Sequence, residues 1–148
     1  MTKLFIGSDH GGVILKAKVK EFLATDFADV EVEDLGCHTD KSVDYPRFGN
    51  AVAEAVVENS ALGIVICGSG VGISIAANRV SGARAVLANS VELATLGRQH
   101  NGANILAMGE RTKFIDDWQD IVRAFITEKT DMAERHVKRR CLLDCCGE

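Results

Sequence analysis

The chain has 148 residues, of which 47% are hydrophobic and 26% are charged, and its net charge at neutral pH is −4. These values are ordinary for a globular protein, so we expect a single domain over residues 1–148 with a real hydrophobic core. The acidic balance, without a basic block outside the C-terminal segment, argues against a nucleic-acid partner.

The sequence does not open with a basic segment followed by a long apolar one, which is the pattern of a targeting signal. No apolar run approaches the length of about 18 residues that a membrane span needs. We therefore expect no signal peptide, no membrane span and a cytoplasmic location. The cysteines are odd in number and irregularly spaced, which fits neither a disulfide framework nor a four-ligand zinc site. They are Cys37, Cys67, Cys141, Cys145 and Cys146.

The first part of the chain alternates between strand and helix patterns. Residues 3–8 form an apolar run, and 13–24 repeat apolar side chains at helical spacing, with lysines on the opposite face. Residues 30–35 alternate like a strand, and 37–45 form a polar loop that ends at Pro46. Apolar residues at helical spacing from Phe48 onward predict a second helix.

The central stretch, residues 63–79, reads GIVICGSGVGISIAANR. It predicts a buried strand, a glycine-rich turn and a helix start, an arrangement whose backbone N–H groups favour an anion. A thiol and a hydroxyl, Cys67 and Ser69, stand inside the turn. A cysteine alone is more often a small buried hydrophobe. Here the surrounding glycines and serine favour a reactive thiol near a helix N-terminus.

The rest of the chain continues the alternation. Residues 83–88 predict a strand, Ser90 the N-cap of a helix running to about 98, and 99–102 a loop. A fifth strand over 105–108, an amphipathic helix over 114–125 and a polar last helix over about 131–143 follow.

Strands and helices that alternate in this way predict βαβ units and a parallel sheet covered on both faces. We expect a Rossmann-like three-layer α/β/α sandwich with five parallel strands in the order 2-1-3-4-5. Ligands of such sheets bind where the strand order reverses, here between strands 1 and 3. That point receives Asp9 and His10 from strand 1, and Cys67 and Ser69 from strand 3.

Two other ligand classes fit the glycines less well. The spacing is G-x-G-x-G after the third strand, and the next strand lacks the acidic residue that a dinucleotide site needs. A P-loop lacks its Gly-Lys-Ser/Thr. A flavodoxin-like binding module without catalysis stays open as an alternative.

Five blocks of the sequence resemble the ribose-5-phosphate isomerase B family, whose superfamily includes the galactose-6-phosphate isomerase subunits. The blocks are SDHGG at 8–12, DYP at 44–46, CGSGVGISIAANR at 67–79, RQHN at 98–101 and RHVKR at 135–139. The resemblance extends over nearly the whole chain, from Lys3 to about Arg140, and the five blocks stand in the family's order. The resemblance implies a Rossmann-like sandwich and an aldose–ketose isomerase that interconverts ribose 5-phosphate and ribulose 5-phosphate through an enediolate, with no cofactor and no metal.

The resemblance also implies roles for individual residues. Cys67 matches the carbon base, as position 73 is Ile rather than the glutamate of serine-type members. Ser69, where many members have threonine, matches the oxygen proton shuttle, and His100 the ring-opening residue. Asp9 would orient substrate hydroxyls or assist ring opening. The remaining matches bind sugar, enediolate or phosphate, and are His10, Asp44, Tyr45, Gly68, Gly70, Gly72, Asn101, Arg111, Arg135 and Arg139.

Two of these assignments compete with simpler interpretations. Arg111 is nearly as well explained as a solvated surface arginine. Arg135 and Arg139 stand at i and i+4 and share a helix face, although such a charge run is usually only solvated. The match to the phosphate-binding pair favours the functional interpretation, since arginine suits bidentate phosphate contacts.

The resemblance implies a homodimer or tetramer with sites at the subunit interface. His100 lies in a predicted helix-to-strand loop, at the sheet edge opposite Cys67. We therefore expect His100 and Asn101 to enter the site of a partner subunit. A six-carbon sugar phosphate, such as allose or galactose 6-phosphate, remains an alternative substrate, and a non-catalytic sugar-phosphate binding protein a weaker one. The cysteine-rich C-terminal tail has no assigned role.

Overall fold

The computed structural model describes residues 2–144, which form a five-stranded parallel sheet between two layers of helices. The strands are β1 Thr2–Ser8, β2 Val30–Asp34, β3 Leu62–Cys67, β4 Ala85–Leu87 and β5 Ile105–Gly109. The helices are α1 Val13–Asp26, α2 Tyr45–Asn59, α3 Val71–Asn78, α4 Val91–Asn101, α5 Trp118–Thr127 and α6 Glu134–Asp144. A short 3-10 turn, His10–Gly12, precedes α1. Within the described range, no helix is long and apolar enough to cross a bilayer.

The strand order is β2-β1-β3-β5-β4, which confirms the predicted sandwich and corrects its strand order. The expected order 2-1-3-4-5 was wrong because β5, not β4, pairs with β3. The five residues of β5 are all buried, whereas β4 has only three residues, none of them buried. A fully apolar strand gains most from a central place with helices on both faces, so the short strand takes the edge. The reversal of strand order between β1 and β3 is unaffected.

Alternate residues of β3 pack into two separate hydrophobic cores, one on each face of the sheet. Ile64 and Ile66 pack with α1, α4 and α5 on one face of the sheet. Val65 and Cys67 pack with α2 and α3 on the other. The period of two in a strand thus places the Cys67 side chain on the α2–α3 face, at the carboxyl end of the sheet.

Several element boundaries differ from the sequence predictions. Ser90 is the N-cap of α4, since its Oγ accepts a hydrogen bond from the Leu93 N–H at 3.2 Å. The predicted loop over 99–102 is wrong, however, because α4 continues to Asn101 and ends at Gly102 in the left-handed conformation, φ 57°. His100 therefore lies in the last helical turn.

The amphipathic helix α5 begins at Trp118 rather than near 114, with Asp117 as its N-cap. Cys145 and Cys146 lie outside the described residues.

One lysine of α1 departs from the predicted polar face. Lys16 is only 3% exposed, and its Nζ donates to Asp34 Oδ1 at 2.8 Å and to the Cys37 carbonyl at 2.6 Å. This buried ammonium ties the end of β2 to α1 and fixes the start of the loop that leads to α2.

Candidate active site at the carboxyl end of the sheet

The Cys67 thiol lies at the carboxyl end of the sheet, where β3 ends. Cys67 ends β3 and is 4% exposed, and its Sγ accepts a hydrogen bond from the Gly70 N–H at 3.1 Å. The turn brings Gly70 back over the sulfur because Gly70 has φ 76°. This conformation suits glycine, and an added Cβ would come within 2.7 Å of the Met108 carbonyl carbon. The sulfur is thus held by a backbone donor at the start of α3.

Ser69 and Gly72 complete the turn around the thiol. Ser69 is exposed, and its Oγ accepts a hydrogen bond from the Val71 N–H at 3.2 Å. A Cβ on Gly72 would come within 2.6 Å of the Tyr45 ring, so glycine at this position lets the ring lie against α3. The first N–H groups of a helix have no intrahelical acceptor, so those of the α3 first turn other than the Val71 N–H are available for an anion.

The loop after β1 contacts the same turn. Asp9 is 7% exposed, and its Oδ1 accepts a hydrogen bond from the Gly11 N–H at 2.8 Å. A Cβ on Gly11 would lie 3.1 Å from the Gly68 nitrogen, so the two loops are in close contact. His10 Nδ1 accepts from the Val43 N–H at 3.1 Å, which leaves Nε2 as the ring's donor. Asp9 therefore has a capping role in the fold besides its expected one.

Arg111 reaches this edge from the loop after β5. Its N–H donates to the Gly68 carbonyl at 2.9 Å, and its side chain lies over Gly68. The preceding Glu110 accepts from the Leu15 N–H and so caps the first turn of α1. The structure thus brings together a group of residues at the carboxyl ends of the strands, which we call the Cys67 edge. They are Asp9, His10, Tyr45, Cys67, Gly68, Ser69, Gly70, Gly72 and Arg111.

The other predicted site residues lie near the amino ends of the strands, opposite Cys67. The chain passes from α4 into β5 at Asn104, whose carbonyl accepts from the Gly63 N–H at the start of β3. Cys67 is four residues further along β3, roughly 13 Å at 3.3 Å per residue. We call this second group the His100 edge, and it consists of His100, Asn101, Arg135, His136 and Arg139.

Helix α6 is anchored to the end of α4. The rings of His100 and His136 are stacked, with centroids 4.4 Å apart and planes 6° from parallel. Arg140 of α6 donates to the Asp131 carbonyl at 2.9 Å and to the His100 carbonyl at 3.4 Å. Arg135 and Arg139 are both exposed. This face of α6 is therefore free to meet an anion or another chain.

The electrostatics of this edge disfavour a further positive charge. Burial lowers the pKa of His136, and the charges of Arg135 and His100 lower it further. Hydrogen bonding from the Ala133 N–H holds the pKa of Asp131 below its ordinary value, and His136 adds to this effect. A neutral His136 is thus the form that the fold prefers beneath the His100 ring.

Three contacts were not predicted from the sequence: the His100–His136 stack, the Glu110 cap and the Lys16–Asp34 pair. His136 was visible inside the RHVKR block, but its partner is 36 residues away in sequence. Glu110 and Lys16 contact backbone groups that only the folded chain brings near them. Short-range spacing therefore carried no signal for these contacts.

Comparison with known proteins identifies the class to which this α/β fold and arrangement belong, the sugar-phosphate isomerases. The pattern of the family described as Ribose/Galactose Isomerase matches residues 4–142, so the chain belongs to that family. The chain is 41% identical over 140 residues to ribose-5-phosphate isomerase B of Escherichia coli, covering 94% of this chain and 92% of that protein. It is 40% identical over 139 residues to ribose-5-phosphate isomerase B of Mycobacterium tuberculosis, covering 93% and 85%.

Solved structures give the same result. Ribose-5-phosphate isomerase B of Clostridium thermocellum superposes with a TM-score of 0.90 at 46% identity, covering 97% of this chain and 95% of that one. The type B enzyme of Trypanosoma brucei gives 0.91 at 36% identity, covering 97% and 98%. The family resemblance and the fold class expected from the sequence are confirmed.

Proposed function

We propose that this chain interconverts ribose 5-phosphate and ribulose 5-phosphate, with Cys67 as the base that moves the carbon-bound proton. The observation that carries the proposal is the placement of Cys67 at the reversal of strand order, with its sulfur 3.1 Å from the Gly70 nitrogen. The relatives described above are named for the five-carbon sugar, which favours it over allose or galactose 6-phosphate.

In the proposed reaction the Cys67 thiolate takes the proton from C2 of the open-chain aldose and returns it to C1. The electron pair released from the C–H bond forms the enediolate, and its collapse gives the ketose. A second proton moves between O1 and O2, and the Ser69 hydroxyl is placed to carry it. Backbone N–H groups of the turn at Gly68–Gly72 stabilise the oxyanion, and each donor of this kind is worth about 3–4 kcal/mol in other enzymes.

The groups around the thiol have binding roles in this proposal. His10 Nε2 and Arg111 present donors for the phosphate from the β1 and β5 loops. The Tyr45 ring forms one side of the sugar pocket, with Asp44 beside it. Asp9 orients substrate hydroxyls through one carboxylate oxygen, while the other, Oδ1, caps the 3-10 turn. No part of this scheme calls for a metal or a cofactor.

We further propose that two copies of the chain build each site. The His100 edge cannot reach the Cys67 edge of its own chain, because the whole sheet stands between them. A second copy, facing the first, would deliver His100 for ring opening and Asn101, Arg135 and Arg139 for the sugar and phosphate. Apolar side chains exposed next to the turn support such contact, since Val71 is 48% and Ile75 is 59% exposed.

The proposal is tested by isomerase activity on ribose 5-phosphate and on allose 6-phosphate, with no metal added. We expect turnover of ribose 5-phosphate that is lost, by about a thousandfold or more, in Cys67→Ala. Cys141→Ala is the matched control, since Cys141 is an exposed thiol on α6. Turnover of allose 6-phosphate alone would overturn the substrate assignment, and full activity of Cys67→Ala would overturn the assigned base.

A further inference from the structure

A separate cavity lies on the amino side of the sheet, behind His100. It has a volume of about 450 Å³ and lies between the end of α2, the start of β3 and the last turn of α4. Small-molecule sites have volumes of about 300–1,000 Å³. We call it the arginine cavity. The residues that matter for its chemistry are Ser60, Arg84, Arg98, Thr130 and Arg140, with Val56 and Val57 as an apolar wall.

The charge of this cavity is opposite to that of the chain. Its lining holds three guanidinium groups and, among the described residues, no carboxylate. The whole sequence has 21 acidic against 17 basic residues. The cavity thus gathers three of the 17 basic side chains of an acidic chain around one concave place. None of these three arginines belongs to the proposed reaction site.

Backbone contacts fix each guanidinium and leave donors unused. Arg84 Nε donates to the Gly102 carbonyl at 3.1 Å, and Arg98 Nη1 donates to the Ala103 carbonyl at 2.7 Å. Arg98 Nε is buried and has no hydrogen-bond partner among the described residues. An occupant would stabilise these arginines by supplying hydrogen-bond acceptors to guanidinium N–H groups that reach the cavity. Fixed guanidinium groups also lose little entropy on binding.

A carboxylate already contacts the rim of the cavity. Arg84 Nη1 lies 2.7 and 2.9 Å from the two carboxylate oxygens of Asp144, whose side chain is 40% exposed. Burial lowers the pKa of Arg98, Glu128 opposes this effect, and the charge of Arg84 adds to it. The local field thus favours an anion. The fold supplies the carboxylates of Asp144, which contacts Arg84, and of Glu128, which acts on Arg98, but neither residue lines the cavity.

We propose that the arginine cavity binds a small phosphate-bearing anion at a site distinct from the reaction site. Guanidinium groups pair with phosphate oxygens through parallel N–H donors, and the hydroxyls of Ser60 and Thr130 add further donors at the rim. Arg98 is in the last turn of α4, and Arg140 donates to the His100 carbonyl. An occupant would therefore act on the helix end that carries His100, a catalytic residue of the proposed reaction.

The test places a negative charge in the cavity without disturbing the fold. Ser60 is exposed with φ 50°, a conformation that aspartate and asparagine both tolerate. Inorganic phosphate is titrated calorimetrically at low ionic strength into Ser60→Asp, with Ser60→Asn as the uncharged control. Both changes are made in a chain that also carries Arg135→Ala and Arg139→Ala, to weaken binding at the reaction site.

We expect one saturable phosphate per chain in the parent and in Ser60→Asn, bound about tenfold more weakly by Ser60→Asp. A second pair, Thr130→Asp and Thr130→Asn, should repeat this difference from the segment between α5 and α6, which also lines the cavity. Equal affinities within both pairs, or no saturable binding in the parent, would overturn the site. The result is independent of the isomerase assignment, which is measured separately as turnover of ribose 5-phosphate.

Discussion

The two edges of the sheet hold their functional side chains by different means. At the Cys67 edge the backbone sets the geometry: a Gly70 N–H fixes the sulfur, and close glycine contacts join the loops after β1 and β3. At the His100 edge side chains on helix surfaces do so, through the stack of His100 on His136 and the contacts of Arg140. The first edge is buried around its thiol, while the second presents exposed arginines.

In the proposed dimer, this difference explains why one chain carries all the residues of a site and still holds no complete site. A base and an oxyanion hole need precise placement, which strand ends and tight turns supply. Groups that open a ring and clamp a phosphate can be brought by a rigid helix from elsewhere. In an isologous dimer each copy would present its Cys67 edge to the His100 edge of the other, and two sites would form together.

The largest expected effect is the recovery of activity when two inactive chains are combined. Cys67→Ala and the double variant Arg135→Ala, Arg139→Ala should each be nearly inactive alone. In a randomly assorted mixture half of the dimers are mixed, and each has one of its two sites intact. We therefore expect about a quarter of wild-type activity, measured as turnover per chain after co-expression.

The control for this experiment combines two variants of the same edge. Cys67→Ala with Ser69→Ala leaves one damaged Cys67 edge in every site, so the mixture should stay inactive. Recovery in this control, or none in the first mixture, would contradict a site shared between two chains. Full activity of a monomer isolated at high dilution would contradict it as well.

The next largest effect concerns the turn that holds the thiol. Gly70→Ala places a Cβ 2.6 Å from Leu87 Cδ1 and forces alanine to φ 76°. We expect a loss of about 3 kcal/mol in the free energy of unfolding, together with a loss of activity of at least a hundredfold. Urea denaturation and the isomerase assay measure the two quantities.

Gly82→Ala tests what backbone strain alone does to stability and activity, at a position outside the proposed active site. Gly82 has φ 84°, but its added Cβ would meet only Val57, at 3.3 Å and beyond. We expect about 1 kcal/mol of destabilisation and near-normal turnover of the folded enzyme. If both variants lost activity equally, the Gly70 turn would have no special role in holding the sulfur.

Sequence patterns predicted the Cys67 edge better than the His100 edge for a physical reason. Cys67 and the glycines around it are consecutive, so strand, turn and helix signals place them without knowledge of the whole fold. Asp9 follows from the rule that parallel strands end at one edge. The placement of these residues near one another is seen in the structure, while their catalytic roles remain predictions.

The errors came from competition between elements, which a local pattern does not report. The strand order depended on whether β4 or β5 gained more by central burial, and both are short and apolar in sequence. The extension of α4 through His100 depended on Gly102 acting as a C-cap one turn later than expected. The helix pattern predicted that Lys16 is exposed, like the neighbouring lysines. It is buried instead, because its ammonium donates hydrogen bonds to Asp34 and to the Cys37 carbonyl.

A smaller effect is expected for the buried lysine that supports the loop before α2. Lys16→Met removes the donor to Asp34 and to the Cys37 carbonyl, and we expect a loss of about 2 kcal/mol. Lys20→Met is the matched control, because Lys20 contacts the same carboxylate from a side chain that is 44% exposed. It should cost about 0.5 kcal/mol. Comparable losses in urea denaturation would contradict a special role for the buried ammonium.

The same carboxyl gives this pair a defined pH dependence. Burial raises the pKa of Asp34, but hydrogen bonds from Lys16, Lys20 and the Gly36 N–H together lower it below its ordinary 3.8. Its contribution to stability is therefore complete above that pH and is lost as the pH falls through the lowered pKa. The difference in stability between wild type and Asp34→Asn should shrink below about pH 3.8 and stay constant near neutrality.

The smallest expected effect tests the histidine stack at the His100 edge. The pKa of His136 lies below its ordinary 6.5, chiefly through burial and then through Arg135 and His100, while Asp131 partly opposes the shift. Because the unfolded chain binds this proton more readily, stability should fall as the pH drops below 6.5 through the lowered pKa. His136→Phe keeps an aromatic face against His100 and removes the titrating group.

Urea denaturation of wild type and His136→Phe between pH 7.5 and 5 measures this contribution. We expect a shallower loss of stability with acid in the variant, and a KM for ribose 5-phosphate close to that of wild type if the stack alone orients His100. His136→Ala removes the face as well as the charge, so it should raise KM or lower kcat where His136→Phe does not. Identical acid slopes in wild type and His136→Phe would mean that His136 is not buried as the neutral form.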